Sequence, residues 1–129
     1  MIDSHCHLNF KELSENLESI IDNSIQNNVT SILSINTKPE DFEHHLNLIK
    51  NYNSIYLSYG LHPSNVKLSK QIELENFDKY CKNNKIIAIG ETGIDLYHNN
   101  KYLKEQTRVF ETHIEASIKH SLPIIIHQR

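Results

Sequence analysis

Several large classes of protein are marked by features this sequence lacks. No polybasic run is present: 13 Lys and Arg residues are interspersed with 16 Asp and Glu, for a formal charge of −3. A protein that grips nucleic acid by side-chain charge alone is therefore disfavoured, although bound cations can supply positive charge that side chains do not. No apolar stretch approaches the length that crosses a membrane, and Asp3 puts a charge inside the first apolar run. Neither a membrane protein nor a signal peptide is expected. The two cysteines, Cys6 and Cys81, are far apart and form no Cys-x-x-Cys pair. That fits free thiols in a reducing compartment, with a cytoplasmic location as the expectation. No linker, low-complexity tract or Pro/Gly-rich hinge divides the 129 residues, and 38% hydrophobic with 22% charged content suits one globular domain.

What the chain does have is an alternation. Five short apolar, β-branched runs recur at Met1–Asp3, Val29–Ile35, Ile55–Gly60, Ile86–Gly90 and Pro123–His127. They begin roughly 25–37 residues apart, the spacing of βα units. Helical patterns fill most of the gaps. Leu13, Leu17, Ile20, Ile21 and Ile25 mark one apolar face, predicted to start near Ser14. Phe42, Leu46 and Ile49 mark a second, with Thr37 as candidate cap and Pro39 near its first turn. Ile72, Leu74, Phe77 and Tyr80 predict a shorter third helix. Val109, Phe110, Ile114 and Ile118 predict a fourth, from about Leu103 to His120.

Strands alternating with helices predict an α/β fold with a parallel sheet and right-handed crossovers. The runs are apolar on both faces, as helix-covered strands require. A complete (β/α)8 barrel typically needs about 250 residues, so residues 1–129 are expected to form a partial TIM barrel of five parallel strands. The sequence stops after the fifth run, as if truncated there, which predicts an open, sticky edge at Ile124–Ile126.

Chemistry-bearing residues collect where strands end. They are His5-Cys6-His7-Leu8, Gly60-Leu61-His62-Pro63, Gly90-Glu91-Thr92-Gly93-Ile94-Asp95 and Ile126-His127-Gln128-Arg129. Ligands of parallel α/β folds bind outside the carboxyl ends of the strands. His5 and His7, two apart on a strand, project to one face while Cys6 points the other way. Taken alone, the pair reads equally as two polar residues at a strand end. With the other clusters it predicts a metal site: His5 and His7 hold one cation, Glu91 bridges two through its carboxylate oxygens, and His127 holds the second.

These motifs resemble the TatD family of metal-dependent deoxyribonucleases, within the amidohydrolase-like hydrolases of TIM-barrel fold. The matching segments are Ile2 to Leu8, Gly60 to Pro63, Gly90 to Asp95 and Leu122 to Arg129, with Gln106 and Phe110 on the helix before the last. The resemblance implies a divalent-metal phosphodiesterase acting on DNA, with two cations (Mg²⁺, Mn²⁺ or Zn²⁺) per complete site. It implies metal ligation by His5, His7, Glu91 and His127, a catalytic role for Glu91, and contacts from His62 and Arg129 to substrate phosphate. A neutral His62 held by the Pro63 turn is the alternative for that residue; a guanidinium suits bidentate phosphate contact.

The sequence departs from the family at Asn9, where Asp is common, and at His113, where Gln is usual. A later His motif and a Glu-Thr-Asp-like motif, which supply a further ligand and the carboxylate that handles the attacking water, do not occur in these residues. Weak metal binding and little or no nuclease activity are therefore expected of residues 1–129 alone.

The remaining candidates read as structural. His44, His45 and His120 fall on helices and are expected to be solvated. His98, in the loop after the fourth run, is a weak candidate to face the site. Asp95 is expected to serve local hydrogen bonding, and Cys6 to pack as a small hydrophobe. Two other functions fit the composition. One is a non-catalytic metal-binding half-barrel that pairs with itself or a second fragment through its open edge. The other is an amidohydrolase-like enzyme acting on an amide or lactone. Against the latter, Glu91 stands where many such enzymes place a bridging lysine.

Overall fold

The computed structural model describes residues 1–67, 72–97 and 100–129. Five strands form one sheet: β1 (Ile2–Cys6), β2 (Ser31–Ser34), β3 (Ile55–Tyr59), β4 (Ile86–Ile94) and β5 (Ile124–Gln128). They lie side by side in chain order, every neighbouring pair parallel. Parallel neighbours need a crossover. The helices α1 (Lys11–Ser14), α2 (Leu17–Gln26), α3 (Phe42–Ile49), α4 (Leu74–Tyr80) and α5 (Leu103–His120) supply it. The five-stranded parallel α/β arrangement expected from the sequence is the fold observed.

Spacing explains which helix faces are buried. Phe42, His45 and Ile49 line one side of α3, and Gln106, Val109, His113 and Ala116 one side of α5, the 3–4 residue rhythm of an amphipathic helix. Under α3 and α4 the rings of Phe42, Tyr59, Phe77 and Tyr80 pack edge-on or tilted at centroid distances of 4.6 to 5.2 Å. Each such pair adds roughly 0.5–1.5 kcal/mol beyond simple burial. This cluster, with Ile55, Leu57 and Ile89, anchors β3 and β4 at the centre of the sheet.

Several boundaries differ from expectation for physical reasons. The first helix breaks in two: Asn16 sits at φ −121°, ψ 23°, so a one-turn α1 precedes α2. Thr37 caps nothing; Lys38 opens a short 3₁₀ turn at Pro39–Asp41 that leads into α3. β4 does not stop at Gly90 but runs through Ile94, because β5 offers it pairing partners from Ile89↔Ile124 to Ile94↔Gln128. Burial on both strand faces holds for β3 and most of β4 but fails at the ends of the sheet. Ile2 of β1 is 66% exposed and Ile126 of β5 is 58% exposed, as strands paired along one edge only would be. Among the described residues β5 pairs with β4 alone.

Candidate metal centre

Close backbone contact brings the motifs together. A Cβ added to Gly60 would meet the Gly90 backbone at 2.5 Å, so the ends of β3 and β4 approach only because Gly60 has no side chain, and a Cβ on Gly90 would meet the Ile125 carbonyl oxygen of β5 at 2.6 Å. Gly93 (φ +138°) lies as tightly against the carbonyl oxygen of His127, where a Cβ would come within 2.1 Å. The Glu91 N–H donates to the Asn36 carbonyl at 3.2 Å, which ties β4 to the end of β2.

Glu91, 7% exposed, stands at the centre. One carboxylate oxygen, Oε2, is 3.5 Å from His5 Nε2. The other, Oε1, is 3.2 Å from His127 Nδ1 and 3.9 Å from His62 Nε2. His5 and His7 meet edge-on with ring centroids 5.3 Å apart, so the two histidines do share a face although His7 lies just past the end of β1. Two donor groups result, His5–His7–Glu91 and His62–Glu91–His127, each with its ligand atoms within 4.8 Å of one another.

Fixed neighbours decide which ring nitrogens face inward. The Ile35 carbonyl is 3.1 Å from His7 Nδ1 and accepts only from N–H, so the lone pair of His7 is on Nε2. Asp95 Oδ2 lies 3.1 Å from His127 Nε2, which places the proton there and the lone pair on Nδ1, towards Glu91. His62 is the opposite case. Its Nδ1 accepts from the Ser64 N–H at 3.1 Å, so in the neutral ring Nε2 carries the proton and points at Glu91 and His127 as a donor. Burial lowers the His62 pKa and keeps the ring neutral, against the pull of Glu91 and helped by His127. Of the two readings of His62, phosphate contact and a ring held by the Pro63 turn, the geometry shows the turn contact and leaves Nε2 facing Glu91 and His127.

The donor set fits divalent cations. Ligands held about 2.1 Å from a tetrahedral ion stand roughly 3.4 Å from each other, and the separations of Glu91 from His127 and His5, 3.2 and 3.5 Å, bracket that spacing. A lone pair of His127 directed at a carboxylate oxygen is unfavourable unless a proton or a cation lies between them.

Asp95 does more than the local hydrogen bonding expected of it. It accepts from the Tyr97 N–H at 3.0 Å, from His127 and, at 2.9 Å, from Arg129 Nη2. Burial acts to raise its pKa, but Tyr97, Arg129 and His127 prevail and hold the carboxyl at about 2. Arg129 therefore lies beside the site, joined to His127 through Asp95. All three residues lie in the motifs at the ends of β4 and β5, but their contact depends on β4 continuing to Ile94 and pairing with β5.

Two helix histidines support the site from behind. His45, expected in solvent, is fully buried because it shares the apolar face of Phe42 and Ile49, and it hydrogen-bonds Ser34 Oγ at 2.8 Å. Ser34 Oγ in turn accepts from the N–H of Leu8, next to His7, at 3.0 Å. His113, also fully buried, accepts from the Leu61 N–H at 3.0 Å and donates from Nδ1 to Val109 at 2.7 Å, bracing the residue before His62. Their places in the helical rhythm were the available signal. His44 is exposed as expected, whereas His120 is half-buried against Asp78 at 3.0 Å. Cys6 packs against the core outside both donor groups, its thiol pushed up to about 11 by burial and by Asp3. Both cysteines are free. His98 lies outside the described residues. Among the described residues no helix is long and apolar enough to cross a membrane.

A parallel α/β sheet with histidine and carboxylate ligands gathered at its strand ends defines the metal-dependent hydrolases of barrel type. The profile of the TatD related DNase family matches residues 2–129, and the chain belongs to that family. A metal-dependent hydrolase of Buchnera aphidicola subsp. Baizongia pistaciae is 38% identical over 100% of this chain and 49% of its own length. The metal-dependent hydrolase YjjV of Escherichia coli K12 is 29% identical over 99% of this chain and 50% of its own. The crystal structure of YjjV, a TatD homologue, superimposes with a TM-score of 0.90, covering 100% of this chain and 51% of that one. The chain thus spans about half the length of these relatives.

Proposed function

We propose that this chain contributes the ligands of a two-cation centre that hydrolyses DNA phosphodiesters. Glu91 carries the proposal: one buried carboxylate presents separate oxygens to His5 and to His127, the arrangement a bridging ligand needs. His5, His7 and Glu91 would hold one ion, and Glu91 with His127 the other. A pair of divalent ions supplies Lewis acidity at the phosphoryl oxygen and lowers the pKa of bound water.

The chain's own residues then have distinct tasks. His127 would offer Nδ1 to a cation, because Asp95 occupies its other nitrogen. His62 donates from Nε2 to a non-bridging phosphate oxygen. Asp95 engages Nε and Nη2 of Arg129 at 3.4 and 2.9 Å, leaving the other Nη to donate to phosphate. The DNase description of the family favours DNA among phosphodiesters, and Glu91 at the bridging position speaks against the amide or lactone chemistry of lysine-bridged relatives.

The test is calorimetric titration of the purified chain with Mn²⁺ and Mg²⁺, alongside a DNA cleavage assay. Binding of divalent ions lost in Glu91→Ala supports the proposal, and a chain that binds neither ion sinks it. Glu91 is engaged as the bridging ligand and Asp95 by Tyr97, His127 and Arg129, so slow hydrolysis or none is expected of residues 1–129 alone. Robust cleavage abolished by Glu91→Ala would overturn that point.

The exposed Ile2 and Ile126 on the two end strands favour a second property, association through unpaired strand edges. Light scattering tests it: a stable monomer at high concentration removes it.

A further inference from the structure

Three residues that the hydrolytic reading leaves unused border the metal groups. A cleft of about 440 Å³ is lined by His7, His62 and Glu91 on the one hand and by Asn9, Phe10 and Lys38 on the other. That is room for a small ligand, and all of these residues belong to the segments that follow β1, β2 and β3 or to β4.

Phe10 is the informative member. Its ring lies flat on His7, with centroids 4.8 Å apart and planes 11° from parallel, yet the residue stays 47% exposed. A phenyl ring serving only the core would be buried. This one is oriented by a metal ligand on one side and left open to the cleft. Charge does not explain the cleft, since Asp41 lines it together with Lys38 and the two offset each other. Asn9, adjacent to Phe10, holds a buried side-chain oxygen with no hydrogen-bond donor among the described residues.

We infer that this cleft is a nucleoside subsite, in which the base next to the scissile phosphate stacks on Phe10. The inference rests on the phosphodiesterase reading and adds the side of the metal centre on which the substrate's base lies. The chemistry is that of an aromatic heterocycle one nucleotide's reach from the cations. Stacking recruits any base by its π face and needs no net charge in the cleft.

The probe is the 5′-monophosphate of 2-aminopurine deoxyriboside, titrated in Mg²⁺ and followed by fluorescence, with deoxyribose 5-phosphate as the baseless control. Wild type should quench the probe, Phe10→Ala should bind it about tenfold more weakly, and Phe10→Tyr should restore binding. Affinity for deoxyribose 5-phosphate and for Mg²⁺ should be the same in all three. Phe10→Leu, which keeps the bulk and loses the ring, should behave as Phe10→Ala and guards against misfolding of the smaller variant. Nucleotide binding indifferent to Phe10 overturns the subsite and leaves the phosphodiesterase reading intact. Failure of wild type to bind either phosphate overturns both.

Discussion

Gly60 and Gly90 lie in backbone contact, so close that a Cβ on Gly60 would fall 2.5 Å from the Cα of Gly90. Backbone cannot yield as the end of a long side chain does. Gly60→Ala should therefore cost about 1–3 kcal/mol of stability and, by parting β3 from β4, weaken cation binding by the groups that Glu91 shares. Denaturant melts and Mn²⁺ titration check the two effects, and an unchanged midpoint would show that the strands part freely.

Glu91 contributes one oxygen to each donor group, so a single isosteric change should weaken both. Glu91→Gln keeps the shape, removes the charge, and should lower affinity for both ions by more than the roughly 10–100-fold typical of losing an outer partner. Calorimetry that shows one ion still bound with undiminished affinity would mean that the carboxylate serves one group only.

Asp95→Ala separates the two ions. His127 and Arg129 lose their common partner, and the His127 ring is no longer committed to the tautomer that turns Nδ1 inward. Affinity for the second ion should fall about tenfold, while the ion at His5 and His7 is spared. Nitrogen-15 chemical shifts of the His127 ring report the tautomer directly and should change even without metal.

Acid should destabilise the fold over a defined range. Burial, the largest cause for both, lowers the pKa of His45 and of His113 from 6.5 to about 4. Below pH 6.5 the unfolded chain binds protons that the folded chain refuses, so stability is fully present above that pH and is lost as pH falls towards 4. Each histidine accounts for about 3 kcal/mol across the window. Urea melts between pH 4.5 and 7.5 should show the slope, and His113→Gln, which keeps an acceptor for Leu61, should flatten it. A flat wild-type profile would mean that water reaches these rings in the folded state.

Most of what proved readable in the sequence was periodic or paired. The five apolar runs and the helix faces between them specified the parallel sheet, and His5-Cys6-His7, Glu91 and His127 marked its chemical end. Three features were harder to see. Polarity argues for a solvated His45, although its spacing from Phe42 and Ile49 places it on a buried face, and for His113 the spacing from Val109 is the signal of burial. Asp95 acquires its partners from the register between β4 and β5, which depends on contacts between segments far apart in the chain. The Asn16 break that separates α1 from α2 interrupts an apolar pattern that continues across it.

The chain-ordered sheet gives metal uptake a schedule. β1, β2 and β3 alone bring together only His5 and His7 of the first group and His62 of the second. His5 and His7 remain a bare pair until β4 delivers Glu91, and the second group closes only when β5 brings His127. Cations captured at that stage favour only the arrangement with both strands docked. They would act as a clasp that ties β1 and β5 to β4, so chelation should loosen the two end strands of the sheet first and leave β2 and β3 until last.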